Sequence, residues 1–410
     1  MIVRGGTVVT ARSVQVADIA IEDGVITEVG SDLDADGEEI DATGLHVLPG
    51  GIDSHVHFNE PGRTEWEDIA HGSAALAAGG YTSFIDMPLN NLPVTTTVEA
   101  FDAKLAAMRR SAKVDYGLWG GLVPGNLDQL AALVDRGVMG FKAFMCPSGI
   151  DEFPACDERT LREAMKRIVE LDSILLVHAE DPAELPEPSG PTPREFLDSR
   201  PVDAEVSAIQ TVTALAAETG CRCHVVHVSS RRGAQVLDGI HVSGETCPHY
   251  LLYTEEDLAR IGGTAKCAPP LRNERMPVMP IVVSDHSPST LDLKQGHDFR
   301  KIWGGISGCQ STRQLLLAQD EFDLPRVAAV TATNIAQRFR LKGKGDIAPG
   351  FDADLWLVDL SWTGTIKRED LLYKNPFSAH EGQRIRGRTV RTLVRGRVPG
   401  SGIALNRDVN

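Results

Sequence analysis

The sequence predicts an α/β fold: a (β/α)8 TIM-like barrel with a small β-sandwich domain formed by the two ends of the chain. Three observations carry that expectation. Eight apolar runs of strand length follow one another between residues 51 and 285. Amphipathic segments of helical period separate several of them, and eight strands alternating with helices close most simply into a barrel. The two ends keep a different rhythm of short β-like runs. The expected division is 1–50 for the first part of the β-sandwich, 51–343 for the barrel, and 344–410 for the second part and tail.

In order, β-like runs cover 1–10, 19–22 and 25–29, and Asp23-Gly24 between the last two is a hairpin signal. The barrel strands are expected at 51–57, 82–87, 116–122, 140–145, 174–178, 223–228, 241–246 and 281–285. Helical periodicity is clearest over 67–78, 98–112, 157–171 and 204–219. Beyond Asp285 the pattern gives a long loop, helices near 311–318 and 325–339, and strands at 354–359 and 391–397. Two crossovers, 229–240 and 269–280, sit at the minimum of about 10–12 residues for a crossover with its helix. Pro277 and Pro280 discourage a helix in the second. The sequence leaves open whether these helices are vestigial or residues are absent.

A chain of 410 residues with 42% hydrophobic content suits a large barrel plus an accessory domain. A net charge of −16 disfavours nucleic acid and acidic membranes as partners and leaves a small molecule as the expected one. The N-terminus runs straight into a strand pattern rather than a leader, and no run reaches membrane-spanning length. The seven cysteines are odd in number and scattered, which fits reduced thiols in the cytoplasm. Most read as core filler; Cys221 and Cys223 are too close for an ordinary zinc pair.

The chemistry collects at strand ends, which in a barrel face the active site. His55 and His57, two apart on a strand, project to one face about 6–7 Å apart and can grip one metal ion. The fourth strand gives Lys142, the fifth His178, the sixth His227 and the eighth Asp285. Lys142, among Phe141 and Phe144 and facing metal ions, is expected to lose its proton. A neutral amine can add CO2, and the resulting carbamate has two oxygens able to bridge two metals. Had Lys142 stood alone, pairing with a carboxylate such as Glu180 would be the preferred reading. Two bridged metals would turn a shared water into hydroxide near neutral pH. Asp285 can then bind metal, accept the nucleophile's proton and pass it to a leaving nitrogen, which is hydrolysis of an amide-like bond. His249 and His286 are weaker candidates beside this set. His71, His224, His241, His297 and His380 read as structural.

These residues resemble the amidohydrolase superfamily, specifically its cyclic amidohydrolase branch, from Pro49-Gly50-Gly51-Ile52-Asp53 to the closing run 345–355. The resemblance implies two divalent ions, usually zinc, with Mn2+, Co2+, Ni2+ or Fe2+ as alternatives, and CO2 held as N6-carboxylysine at Lys142. It implies one ion on His55, His57, Lys142 and Asp285, and the other on Lys142, His178 and His227. It also implies a homotetramer. Dihydroorotases carry an arginine where this chain has Asn59, and hydantoinases a tyrosine soon after the modified lysine, which is missing here. The runs 55–67, 148–154 and 303–306 resemble the allantoinase family instead, which implies opening of the hydantoin ring of allantoin to allantoate. Expected substrate contacts are Asn59, Asn91, Ser287, the backbone around Cys267-Ala268 and Gly304-Gly305, with Trp303 as a wall. Hydantoinase, dihydropyrimidinase or dihydroorotase activity is the alternative. A non-catalytic assembly protein on the same fold is remote, since such a protein would be expected to have lost ligands and none is missing.

Overall fold

The fold is that of a computed structural model describing residues 1–410 except 35–36, 238, 406 and 408–410. Period-two sequence at both ends builds one sheet. It contains β1 (Ile2–Val9), β2 (Val14–Glu22), β3 (Val25–Gly30), β4 (Glu39–Asp41) and β5 (His46–Pro49). The chain's far end adds β14 (Leu355–Thr365) and β15 (Arg384–Leu393), giving the order β15-β14-β5-β1-β2-β3 with β4 on β1. Asp23 and Gly24 have positive φ, 49° and 83°, as the expected hairpin turn requires. Ile19, Ile26, Val47, Leu355, Leu357 and Leu393 form the sheet's own apolar cluster.

The middle of the chain is parallel. β6 (Gly51–Val56), β7 (Tyr81–Asp86) and β8 (Asp115–Leu118) form one sheet. β9 (Gly120–Gly121), β10 (Phe141–Phe144), β11 (Leu175–His178), β12 (Cys223–Val225) and β13 (Val242–Gly244) form the other. Only Trp119 separates β8 from β9. At the other side, parallel bridges Thr246↔Val282 and Val56↔His286 carry the pairing from the end of β13 through 281–286 back to β6. Helices return the chain between strands. Ile69–Ala78 starts at Asp68, Val98–Ser111 at Thr97 and Glu158–Glu170 at Asp157, each cap side chain accepting a backbone N–H of the first turn. Val202–Thr219 ends at Gly220, whose φ of 76° suits a left-handed cap.

Three expectations need correction. The eighth strand does not form as a ladder; 281–286 makes only isolated bridges, since Pro280 offers no N–H and Asp285 is left-handed, φ 47°. The last strand is Arg384–Leu393, not 391–397, because Val394–Arg397 closes a turn. Its alternating arginines face solvent and disguise the pattern. The helix expected over 325–339 is three pieces, Leu324–Ala328, a π-helical turn Ala329–Thr333, and Asn334–Phe339. The short crossovers are short in the structure. The first carries the five-residue helix Arg231–Gln235, with Asp238 outside the described residues, and 269–280 carries none.

Two buried cations join the end sheet to the parallel part. Arg313 donates to the carbonyls of Gly80 (2.7 Å) and Pro49 (3.0 Å) and lies 4.1 Å over the Trp356 ring. Lys344 meets Asp115 at 2.7 Å and Asp352 and Asp354 at 2.8 Å each. All seven cysteines are buried and none is in a disulfide. No helix among the described residues is long and apolar enough to cross a membrane.

Candidate metal centre and active site

The strand ends bring the sequence's six residues to one place in two groups. In the first, His55 Nε2 lies 3.2 Å and His57 Nε2 3.5 Å from Asp285 Oδ1. In the second, His178 Nδ1 lies 3.1 Å from His227 Nε2. The His55 and His227 rings, 5.3 Å apart between centroids, connect them. Lys142 is buried, its Nζ has no hydrogen-bond partner, and it sits 4.8 Å from the centre of the Phe144 ring. Burial pushes Lys142 down to about 7. Burial also lowers His55, His178 and His227, and the Lys142 charge adds to it at all three, so the amine belongs to both groups. His227 and Asp285 have left-handed backbones, φ 40° and 47°, a cost of about 1–2 kcal/mol each. Strain of this kind gathers at functional sites.

Two carboxylates orient the histidines: Glu245, which the sequence reading passed over, and Glu180, which it named only as a partner for Lys142. Glu245 lies 2.6 Å from His55 Nδ1 and 3.1 Å from His224 Nε2. Glu180 is not paired with Lys142 but meets His178 Nε2 at 2.7 Å and Arg200 through both carboxylate oxygens. Against the burial that would raise it, Arg200 and then His178 hold Glu180 far below the usual carboxylate range. An ionised Glu180 fixes the proton of His178 on Nε2 and leaves Nδ1 as a lone pair aimed at His227. Burial drives Glu245 well above the usual range and Lys142 draws it back, so Glu245 ionises only beside positive charge. His224, read as structural, completes this support by meeting Ser243 Oγ at 2.7 Å. The signal for both carboxylates was their place in the strand-end runs, Glu180 two residues after His178 and Glu245 after β13.

These contacts test whether cations fit. With Glu245 ionised, His55 Nε2 is a lone pair facing a carboxylate oxygen, and His178 Nδ1 faces another imidazole nitrogen. The His55–Asp285 contact, acceptor against acceptor at 3.2 Å, is reconciled by a cation between them, and the His178 and His227 ring nitrogens 3.1 Å apart offer a second pair of imidazole donors. The donor set of imidazole nitrogens and carboxylate oxygen suits zinc-like ions, and the unpartnered amine is open to modification.

The expected substrate contacts differ in how free they are. Asn59 is fully buried and neither side-chain atom of its amide has a partner. Asn91 donates to the Pro93 carbonyl (2.7 Å) and keeps Oδ1 unused. Trp303 packs edge-on against Trp66, 4.8 Å between centroids, with its buried Nε1 unpartnered. Ser287 and Cys267 are buried. Gly304 runs beside the Cys267-Ala268 backbone, about 4.0 Å from where its Cβ would be. At Gly305 a Cβ would fall 2.4 Å from the Ser287 carbonyl oxygen, so the close approach of the two loops requires glycine. Two buried lysines clamp these loops, which sequence reasoning missed. Lys294 Nζ donates to the carbonyls of Trp303 (2.7 Å), Gly305 (2.6 Å) and Lys266 (3.2 Å). Lys266 Nζ donates to those of Phe299 and Ile302, both at 2.6 Å. His286 meets Glu67, its Nε2 3.4 Å from the carboxylate.

Comparison with known proteins bears on this geometry. The pattern of the amidohydrolase family matches residues 46–398. An allantoinase from Rubrobacter xylanophilus is 49% identical, covering 97% of this chain and 93% of its own. One from Solibacter usitatus is 48% identical, covering 96% and 92%. The first alignment runs over 424 positions while taking in 97% of 410 residues, so about 26 positions have no counterpart here, in keeping with the short crossovers. Among solved structures, an L-hydantoinase (dihydropyrimidinase) from Arthrobacter aurescens superposes with a TM-score of 0.95 at 30% identity, covering 99% of each chain. A dihydropyrimidinase from Brevibacillus agri gives 0.90 at 29% identity, covering 99% and 98%.

Proposed function

The chain belongs to the amidohydrolase family, and from that premise we propose that it hydrolyses the cyclic amide bond of allantoin to give allantoate. The observation that carries the chemistry is Lys142, a buried amine with no partner among four histidines and a carboxylate. On this reading the ring of parallel pairings is a (β/α)8 barrel over 51–343, and 1–50 with 344–410 form the small β-domain beside it. Allantoin rather than another cyclic amide is favoured because sequence relatives named allantoinase reach 49% identity, against 30% for the hydantoinase structures.

His55, His57, Asp285 and the N6-carboxylated Lys142 would hold one divalent ion, and Lys142, His178 and His227 the other, zinc being the expected metal. When bound, such ions acidify water and polarise a carbonyl. The chain's own residues do the rest. Glu245 and Glu180 hold the imidazoles in their tautomers. Asp285 accepts the proton of the attacking water and returns it to the ring nitrogen as the carbon–nitrogen bond breaks. The water oxygen ends in the new carboxylate. The free Asn59 amide, Asn91 Oδ1 and Trp303 Nε1 supply both donors and acceptors to a neutral ring and its ureido arm. Asn59 cannot pair the carboxylate of dihydroorotate. The same reading carries a homotetramer, testable by light scattering. Steady-state kinetics on allantoin, dihydroorotate and dihydrouracil test the assignment, alongside metal analysis. A kcat/KM for either competitor above that for allantoin overturns it.

A further inference from the structure

We propose that Cys247, His249 and Asp285 form a third metal site, which takes one more thiophilic divalent ion and thereby shuts the enzyme down. One ligand atom from each residue lies within 4.8 Å of the others, and all three side chains are buried. Sulfur, imidazole nitrogen and carboxylate oxygen are a zinc-type donor mixture, and three protein ligands leave a fourth position for water. The local chain builds this. Cys247 precedes the helix Pro248–Leu252, and the one-turn geometry presents His249 two residues later, its ring 4.3 Å from that of Tyr250.

An independent observation points to a ligand there. His249 is wholly inaccessible, yet neither Nδ1 nor Nε2 has a hydrogen-bond partner. A buried polar group left unmatched costs about 1–3 kcal/mol, and an imidazole contains two such atoms. No residue of the two-ion set offers sulfur, so the thiol of Cys247 separates this site from that one in chemistry, although the two share Asp285. Hard cations such as Mg2+ have little use for sulfur; Zn2+, Co2+ and Cd2+ do. As the metal–sulfur bond forms, the thiol proton leaves to water.

The consequence follows from sharing Asp285, and rests on its reading as the proton acceptor. His55 and His57 both face Oδ1 of Asp285, which leaves the other carboxylate oxygen to take the water's proton, and a further ion on the carboxylate takes that remaining oxygen. Loss of a general base costs about 10²–10⁴-fold, so saturation of the third site should lower the rate by about 10²-fold.

The test uses the full-length holoenzyme loaded with Co2+, its metal content and activity measured before any excess is added. Further Co2+ should then produce a thiolate-to-cobalt charge-transfer band that saturates at one additional equivalent, with activity falling in step. Cys247→Ser, Cys247→Ala and His249→Gln should each lose the band, and the ratio of rates with and without excess Co2+ should return towards one. Inhibition without a thiolate band, a band surviving in both Cys247 variants, or neither band nor inhibition would each overturn the proposal. The initial metal content separates the two ideas: fewer than two ions per chain at full activity counts against the two-ion reading, whatever the band does.

Discussion

Replacing Glu245 by glutamine isolates the support of the proposed metal ligands from those residues themselves. The carboxylate meets His55 Nδ1 at 2.6 Å with one oxygen and His224 Nε2 at 3.1 Å with the other, all three side chains fully buried. Glutamine is isosteric but has one acceptor oxygen and an NH2, so it can serve one imidazole and opposes the other. A hydrogen bond to a charged group contributes about 1.5–3 kcal/mol, and that magnitude is the expected loss in orienting His55. It equals about a 10–100-fold fall in metal affinity, the range seen when the outer partner of a ligating histidine is removed. Dialysis against graded chelator, with metal per chain measured at each step, should show Glu245→Gln releasing metal at a correspondingly lower chelator concentration. With metal saturating, much of kcat/KM should return, because neither Asp285 nor Lys142 is altered. Coincident release curves for the two proteins would show that Glu245 does not orient His55 for a metal.

Lys142→Ala should bind less than two ions per chain and lose nearly all activity; a short carboxylic acid added to it should restore a fraction by supplying the missing oxygens, and no rescue at any concentration counts against the carbamate. Asp285→Asn keeps an oxygen for metal but cannot take a proton, so kcat should fall about 10²–10⁴-fold with the fold intact by circular dichroism. Lys294→Met strands three buried carbonyls at about 1–3 kcal/mol each and loosens Trp303 and Gly305, so KM for allantoin should rise more than kcat falls; an unchanged KM would sever the clamp from substrate binding. His380 gives a pH prediction: burial lowers it to about 4, against about 6.5 in an unfolded chain. A depressed histidine contributes stability that is complete above pH ~6.5 and is lost as pH falls towards 4, about 3 kcal/mol in all. Urea midpoints measured across that window should fall less steeply for His380→Gln than for the parent.

The clustered residues were legible because a metal site would use side chains near strand ends, and strand ends show in sequence as an apolar run halted by a polar residue. His55 and His57 needed only period two; His178, His227 and Asp285 each follow such a run. Their supports were illegible for the same reason in reverse. Glu245 is 190 residues from His55, and nothing local in either segment declares the pair. Lys266 and Lys294 bond only backbone carbonyls, a pairing with no residue-type signature. In the fold, boundaries slipped where a local feature overrode the pattern: the left-handed Asp285 ended the eighth strand's ladder, and arginines on the open face of β15 moved its apparent start from 384 to 391. The cap residues Asp68, Thr97 and Asp157 set helix starts within a residue or two of the expected ones.

Among the described residues, five lysines are buried: Lys104, Lys142, Lys266, Lys294 and Lys344. Burying an ammonium is expensive unless its three N–H groups are matched. Lys104 pairs with Asp86 at 2.7 Å and also bonds the Phe58 carbonyl. Lys344 sits among three aspartates, and Lys266 and Lys294 are capped by carbonyls. The chain thus has two ways of housing a buried lysine, and Lys142 uses neither. Its surroundings hold lone pairs on nitrogen, a stacked pair of rings in Phe144 and His178 at 4.5 Å, and no carbonyl within bonding distance. A positive charge there would be left without a donor's partner, while a neutral amine would be left with a reactive lone pair. The proposed conversion to an anion would remove both difficulties, because four imidazoles holding cations would require negative charge at that point. The exception among five is therefore where the chemistry should be sought, and mass spectrometry under non-acidic conditions, looking for one added CO2 at Lys142 in the metal-loaded protein, examines it directly.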